Sequence, residues 1–128
     1  MMLLEALMAI LIFSLGILAM VGMQAVAVKQ VSDARYRSEA SLLVNQLIGT
    51  MWVSDRATAV LQTNFNTGGT GYAAWLPGVS AALPGVAANP PTVVVDGAGM
   101  VTVTIFWLAP NEGAAATPHN YTSIAQIR

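Results

Sequence analysis

The chain of 128 residues contains no cysteine, a single histidine and few charged side chains. The absence of cysteine excludes disulfide bonds and thiolate-bound metal. Charged residues make up 9% of the sequence, against about 25% in a typical soluble domain, whereas 55% of it is hydrophobic. This composition argues against an ordinary cytosolic domain and also against a disordered chain that repels itself.

The scarcity of ionisable groups also limits the chemistry that the chain can perform. Five basic and six acidic residues give a net charge of -1, which provides no positive surface for nucleic acid. No second metal ligand and no nucleophile can be recognised as a partner for the one histidine, His119. We therefore expect no catalytic, cofactor-binding or metal-binding residues, and no enzyme activity.

Proline is absent before residue 77, so residues 1–62 can form one uninterrupted helix. Within them, residues 6–28 are apolar except for two glycines, one serine and one glutamine. As a helix this segment spans roughly 34 Å, enough to cross the bilayer core of about 30 Å. A cleaved secretory signal fits less well, because the apolar run is too long and no basic residue precedes it.

Residues 29–63 keep the helical period but carry most of the charge. Their apolar side chains recur at the spacing of one helix face: Ala40, Leu43, Val44, Leu47, Ile48 and Met51. No capping or helix-breaking residue separates this segment from residues 1–28, so we predict a single helix over about residues 2–62. The glycine-rich residues 67–71 are too flexible to continue it.

Residues 64–128 are predicted to form a loop, rich in glycine, alanine and proline up to residue 91, and then an antiparallel sheet. Strand patterns at residues 92–95 and 101–108 flank a turn, and residues 121–127 form a weaker third candidate. The apolar face of residues 29–63 is the surface available to cover this sheet. The predicted fold is therefore α+β. We expect the large aromatic side chains in its core: Trp52, Phe65, Tyr72, Trp75 and Trp107.

Glu5 is the only charged residue among the first 28. An isolated carboxylate in an apolar segment costs several kcal/mol unless it is paired or neutralised, and such a residue is a functional candidate. Its cation must be the α-amine of Met1 or come from another molecule, since the first basic side chain is Lys29. A straight helix directs its own amine away from position 5, so a neighbouring chain's amine fits better. The alternative is a solvated Glu5 at the lipid headgroups.

The N-terminal residues 2–12, with glutamate at the fifth position before an unbroken apolar segment, resemble mature type IV pilins and the pseudopilins of type II secretion. Residues 14–24 look most like the minor pilins called type IV pilus modification proteins. The resemblance covers about the first 30 residues. It implies a pilin-like ladle, in which the long helix packs on the sheet, and a structural subunit that polymerises into an extracellular filament. A pseudopilin, and a single-span membrane-anchored ligand-binding protein, remain as alternatives.

In that family, a prepilin peptidase removes a basic leader and the new terminal amine is methylated. The resemblance therefore implies a methylated N-terminus at Met1, and a pair between this amine and Glu5 of an adjacent subunit as the assembly contact. Loss of a basic leader would also explain why the basic residues follow the apolar segment, against the positive-inside rule.

The resemblance further implies where the chain resides and what it binds. The unassembled subunit would lie in the inner membrane, and the assembled one in a pilus at the cell surface. Its partners would be further copies in a helical filament or other pilins, together with the pilus assembly machinery.

Two departures from the family pattern carry expectations of their own. Related pilins often have a proline near position 22, where this chain has Gly22 and, six residues earlier, Gly16. Each glycine weakens a helix by about 1 kcal/mol, so we predict a softer segment over residues 14–24. The C-terminal cysteine pair of many pilins is absent, so residues 111–119 are expected to be held by packing alone and to be mobile.

Overall fold

The computed structural model describes all residues, Met1–Arg128, and has an α+β fold. Its elements follow the chain in the order α1 (Met2–Val53), α2 (Thr58–Phe65), α3 (Thr70–Ala82), β1 (Thr92–Val95), β2 (Met100–Trp107) and β3 (His119–Gln126). The chain divides into two compact units, Met1–Ala34 and Arg35–Arg128. We call the second unit the head.

The predicted long helix is confirmed, but it ends at Val53 and not near residue 62. Ser54 Oγ donates to the Met51 carbonyl at 2.8 Å, and Asp55 Oδ1 accepts a hydrogen bond from the Ala57 amide at 3.0 Å. Short polar side chains that bond to nearby backbone groups compete with helix continuation. The prediction of one helix through residue 62 was therefore wrong, and α2 begins as a separate element at Thr58.

The predicted apolar face of α1 supplies one side of the core of the head. Five of its six predicted residues are buried, and Ile48 is half-buried against them. The aromatic residues of α2 and α3, and Trp107 of β2, are buried as expected. Trp52, however, is 44% exposed, so its assignment to the core was wrong.

Helix α3 occupies a segment that we expected to be a loop, although it contains Pro77. Three of its side chains, Tyr72, Trp75 and Val79, lie on one face and are buried. Trp75 Nε1 donates to the carbonyl of Leu43 on α1 at 3.0 Å. Tertiary contacts of this kind outweigh the low helix propensity of glycine and proline in the segment.

The sheet is antiparallel with strand order β1-β2-β3. The turn between β1 and β2 is held by Asp96, whose Oδ1 accepts the amides of Ala98 at 2.9 Å and Met100 at 2.8 Å, and Gly99 adopts a φ of +80° there. Alternate residues of β2 are buried against the helices, as the predicted two-residue period requires. The third strand is confirmed, and it begins earlier than predicted, at His119.

Candidate functional site: the exposed apolar segment and Glu5

The N-terminal part of α1 carries a long apolar surface that nothing in the chain covers. Every residue from 1 to 31 is exposed, including large side chains such as Leu3 at 82% and Phe13 at 70%. By length and composition this helix could cross a membrane. An apolar surface of this extent indicates contact with lipid or with another protein.

Glu5 is placed within this surface by the first turn of α1. Its backbone amide donates to the Met1 carbonyl at 3.1 Å. Around its side chain the helix presents apolar neighbours: Met1, Leu4, Met8, Ala9 and Ile12. The position near the helix N-terminus favours a negative charge, by about 0.3 to 1 kcal/mol.

The Glu5 carboxylate makes no hydrogen bond and no ion pair within the chain. The α-amine of Met1 belongs to the same turn, yet it does not pair with this side chain, as the helix geometry predicts. Met1 itself is fully exposed. Both groups that the sequence singles out are therefore free to meet partners on other molecules.

The two glycines of the apolar segment lie inside the unbroken helix α1. A Cβ atom at Gly16 or Gly22 would meet no atom within 4 Å. Packing within the chain therefore does not require glycine at either position. The softer segment that we expect from them stays a prediction.

The acidic side chains near the sheet are engaged within the head. Asp96 holds the turn between β1 and β2. Glu112 Oε1 lies 2.9 Å from His119 Nε2, and the His119 ring stacks on Trp107 with a centroid distance of 6.0 Å. These contacts tie Glu112 to the first residue of β3, so the expectation that residues 111–119 are held by packing alone was wrong. The structure contains no group of three or more His, Cys, Asp or Glu side chains that could hold a metal ion.

The basic residues that follow the apolar segment are exposed at Lys29, Arg35 and Arg37. The guanidinium of Arg37 lies 5.8 Å from the centroid of the Trp107 ring, a cation–π distance. Arg37 therefore packs against Trp107, whose ring also stacks with His119. This cluster could not be predicted from sequence, because Arg37 lies far along the chain from Trp107 and His119.

Compared with known proteins, the chain matches no family model, no curated protein and no solved structure. The functional conclusion therefore rests on the chain's own features, namely the uncovered apolar segment and its one unpartnered carboxylate.

Proposed function

We propose that this chain is a pilin, a structural subunit that polymerises through its apolar N-terminal helix into an extracellular type IV pilus filament. The observation that carries the proposal is the complete exposure of residues 1–31, with Glu5 unpaired among them. Full burial of each Leu, Ile, Phe or Met side chain contributes about 1.5 to 3 kcal/mol. The segment is therefore stable only in lipid or among the helices of neighbouring subunits.

In the proposed filament, Glu5 of an incoming subunit pairs with the methylated terminal amine of Met1 on its neighbour. Inside an apolar bundle, an ion left without its partner costs about 3 to 5 kcal/mol. Helices that slide past one another by a turn would separate the charges and incur this cost. The pair therefore fixes the axial register of the subunits, whereas the surrounding apolar side chains supply the adhesion.

The fold supports the same proposal. A long N-terminal helix precedes a three-stranded antiparallel sheet, the order of elements that the resemblance to type IV pilins implies. Before assembly the subunit lies in the inner membrane with its head outside, and after assembly it lies in the pilus at the cell surface. Prepilin peptidase and the pilus assembly machinery are its partners on this route.

A type II secretion pseudopilin is the alternative within the same machinery, and a calcium-binding acidic loop would favour it. Asp96 and Glu112, the acidic residues nearest the sheet, are instead bonded to the backbone turn and to His119. This engagement favours the pilin. A membrane-anchored ligand-binding protein would leave Glu5 without a role.

The proposal is tested by Glu5→Ala in the producing cell, with Gln24→Ala as the matched control within the same apolar segment. We expect Glu5→Ala to remain in the membrane fraction while its amount in sheared surface filaments falls at least about tenfold, because an uncompensated terminal amine is left in the core. Gln24→Ala should enter filaments normally. Normal incorporation of Glu5→Ala would contradict the proposal.

A further inference from the structure

Strand β1 forms one edge of the sheet, and residues of the preceding segment occupy its outward backbone groups. The Val93 amide donates to Thr67 Oγ1 at 3.0 Å, and the Val93 carbonyl accepts the Thr67 amide at 3.1 Å. The Val95 amide donates to Asn66 Oδ1 at 2.7 Å, and its carbonyl accepts Gln62 Nε2 at 3.0 Å. Another strand cannot pair here without breaking these bonds.

Strand β3 forms the opposite edge, and the register shows which of its residues face outward. The backbone amides and carbonyls of Val93 and Val95 point away from β2. In an antiparallel ladder these directions alternate, so the odd-numbered residues of β2 direct their backbone groups toward β3. The bond from the Ile127 amide to the Gly99 carbonyl continues this odd-numbered pairing. The outward amides and carbonyls at this edge therefore belong to the even-numbered residues of β3: Asn120, Thr122, Ile124 and Gln126.

None of these four residues has a backbone hydrogen bond on its outward side. Four amides and four carbonyls thus lie along an edge of eight residues with no partner in the chain. Natural sheets usually protect such edges with proline, charged residues, bulges or a covering segment. Strand β3 contains no proline, lysine, arginine or acid, and its register with β2 has no bulge.

We infer that β3 accepts a β-strand from a different polypeptide, with an apolar side chain beside Ile124, which extends the sheet to four strands in the assembled filament. Addition of a strand to an open edge is an established mode of recognition, in which backbone bonds supply affinity and alternate side chains supply specificity. Ile124 is 62% exposed on this strand, so an apolar side chain of the incoming strand beside it would gain burial. This inference rests on the proposed pilin function.

A second copy of this chain paired at β3 would not extend a filament. Because the edge at β1 is occupied, another copy could offer only its own β3 edge. Pairing of two identical edges is isologous and closes after two copies. A repeating filament of this chain alone cannot be built through β3, so the open edge suits co-assembly with a different subunit.

Exposed Trp52 provides an apolar contact near one end of this edge. The Arg56 guanidinium lies 5.9 Å from the Trp52 ring centroid and donates to the carbonyl of Arg128, two residues beyond β3, at 3.0 Å. Tyr121 of β3 contacts Ser41, which precedes Trp52 by three turns on the same face of α1. Tryptophan is enriched among residues that dominate interface energy, so Trp52 would receive a side chain of the added strand.

Two substitutions close the edge while keeping every backbone hydrogen bond of the sheet. Replacing Thr122 also removes its hydroxyl contact with Thr104 Oγ1 at 3.1 Å, in the variant and in its control alike. Thr122→Pro deletes an outward amide, which an edge strand tolerates, and Ile124→Lys places a charge on a side chain that is 62% exposed. Thr122→Ala is the control that keeps the amide. Val94→Lys is the control for charge, since Val94 is 56% exposed in the same row of the sheet but on the occupied edge.

The decisive readout is residue-resolved hydrogen exchange of the full chain, purified in detergent micelles and assembled in filaments. We expect the four outward amides of β3 to exchange rapidly in micelles and at least about 100-fold more slowly in filaments. Thr122→Pro and Ile124→Lys should enter filaments at least about tenfold less than the parent, a fold-change of about 1.4 kcal/mol. Both control variants should enter normally.

Rapid exchange of these amides in filaments that contain the chain would overturn the inference and leave the proposed pilin function intact. Slow exchange of the same amides in micelles, together with a dimer seen by sedimentation, would identify a second copy as the source of the added strand. This result would overturn the inference that the strand comes from a different polypeptide. If Val94→Lys lowers incorporation into filaments as much as Ile124→Lys does, the loss comes from packing on the face of the sheet. This result would likewise overturn strand addition. Absence of the parent chain from filaments would overturn the proposed function itself.

Discussion

Glu5 and the acidic residues of the head have opposite surroundings. Glu5 lies among apolar side chains with no partner, whereas Asp96 accepts two backbone amides and Glu112 pairs with His119. The head therefore engages these two carboxylates within its own fold, whereas the Glu5 carboxylate has no partner in the chain. The isolation of Glu5 from other charges could be predicted from sequence, because it depends only on one charge within an apolar run.

Other residue positions could not be predicted, because they depend on contacts between distant parts of the chain. Trp52 follows the buried residue Met51, yet it lies on the exposed flank of α1 with Arg56 over its ring. His119 was expected in a loop, and its place at the start of β3 is set by pairing with Trp107. Composition and local spacing contain neither of these contacts.

Tyr72 gives a pH-dependent prediction at the scale of one residue. Its hydroxyl donates to the Pro91 carbonyl at 2.6 Å, and burial raises the pKa of the phenol above its usual range. A raised folded-state pKa means that the stabilisation is fully present below the unfolded pKa of about 10 and is lost as the pH rises through the folded value. We therefore expect the free energy of unfolding to fall above about pH 10.

The matched comparison is Tyr72→Phe with Tyr36→Phe, since the Tyr36 hydroxyl makes no hydrogen bond. Denaturant unfolding near neutral pH should show a loss of about 1 kcal/mol for Tyr72→Phe, and this variant should lose part of the alkaline destabilisation. The Tyr36 variant should behave as the parent. If the free energy of unfolding depends on alkaline pH in the same way for all three proteins, Tyr72 is not the group responsible.

At the scale of elements, local patterns predicted the apolar face of α1 and the β1-β2 turn, but missed the end of α1 at Val53 and the helix α3. The apolar face of α1 and the Asp96–Gly99 turn are determined by neighbouring residues in sequence. Helix α3 forms despite Pro77, because Trp75 bonds to the backbone of α1 and Tyr72 bonds near the start of β1. These stabilising contacts join residues 32 and 19 positions apart, beyond the range of a periodic pattern.

The apolar part of α1 gives a prediction about helix flexibility. Replacing Gly16 and Gly22 with alanine introduces no clash and stabilises the helix by about 1 kcal/mol at each position. In micelles, amide exchange over residues 14–24 should slow by about fivefold or more. Gly49→Ala, at another open position of α1, should leave these residues unchanged. Exchange over residues 14–24 that is unaltered by the double substitution would contradict a soft segment at the glycines.

For the whole molecule, the division into two units separates the buried core from the exposed apolar segment. All buried apolar residues lie between Ala40 and Ile127, and residues 1–31 bury no side chain. The apolar segment therefore contributes no core to the head. Sequence patterns predicted an apolar segment followed by a packed head, but not which sheet edge stays open, since that depends on where Asn66 and Thr67 meet β1.

The head, Arg35–Arg128, should accordingly fold as a soluble fragment. Its thermal unfolding, followed by circular dichroism, should be cooperative. Within it, Leu47→Ala should cost about 2 to 5 kcal/mol, since Leu47 is 1% exposed. The control Leu42→Ala, at a position 64% exposed on the same helix, should cost less than about 0.5 kcal/mol. A fragment without cooperative unfolding would show that the apolar segment takes part in the fold.

The most direct test of the account is the structure of filaments containing this chain, determined at a resolution that places side chains. The account predicts that the Glu5 carboxylate lies within about 4 Å of the terminal amine of an adjacent subunit. A carboxylate more than about 6 Å from every neighbouring terminal nitrogen, or a chain found only as a monomer outside the filament, would contradict it.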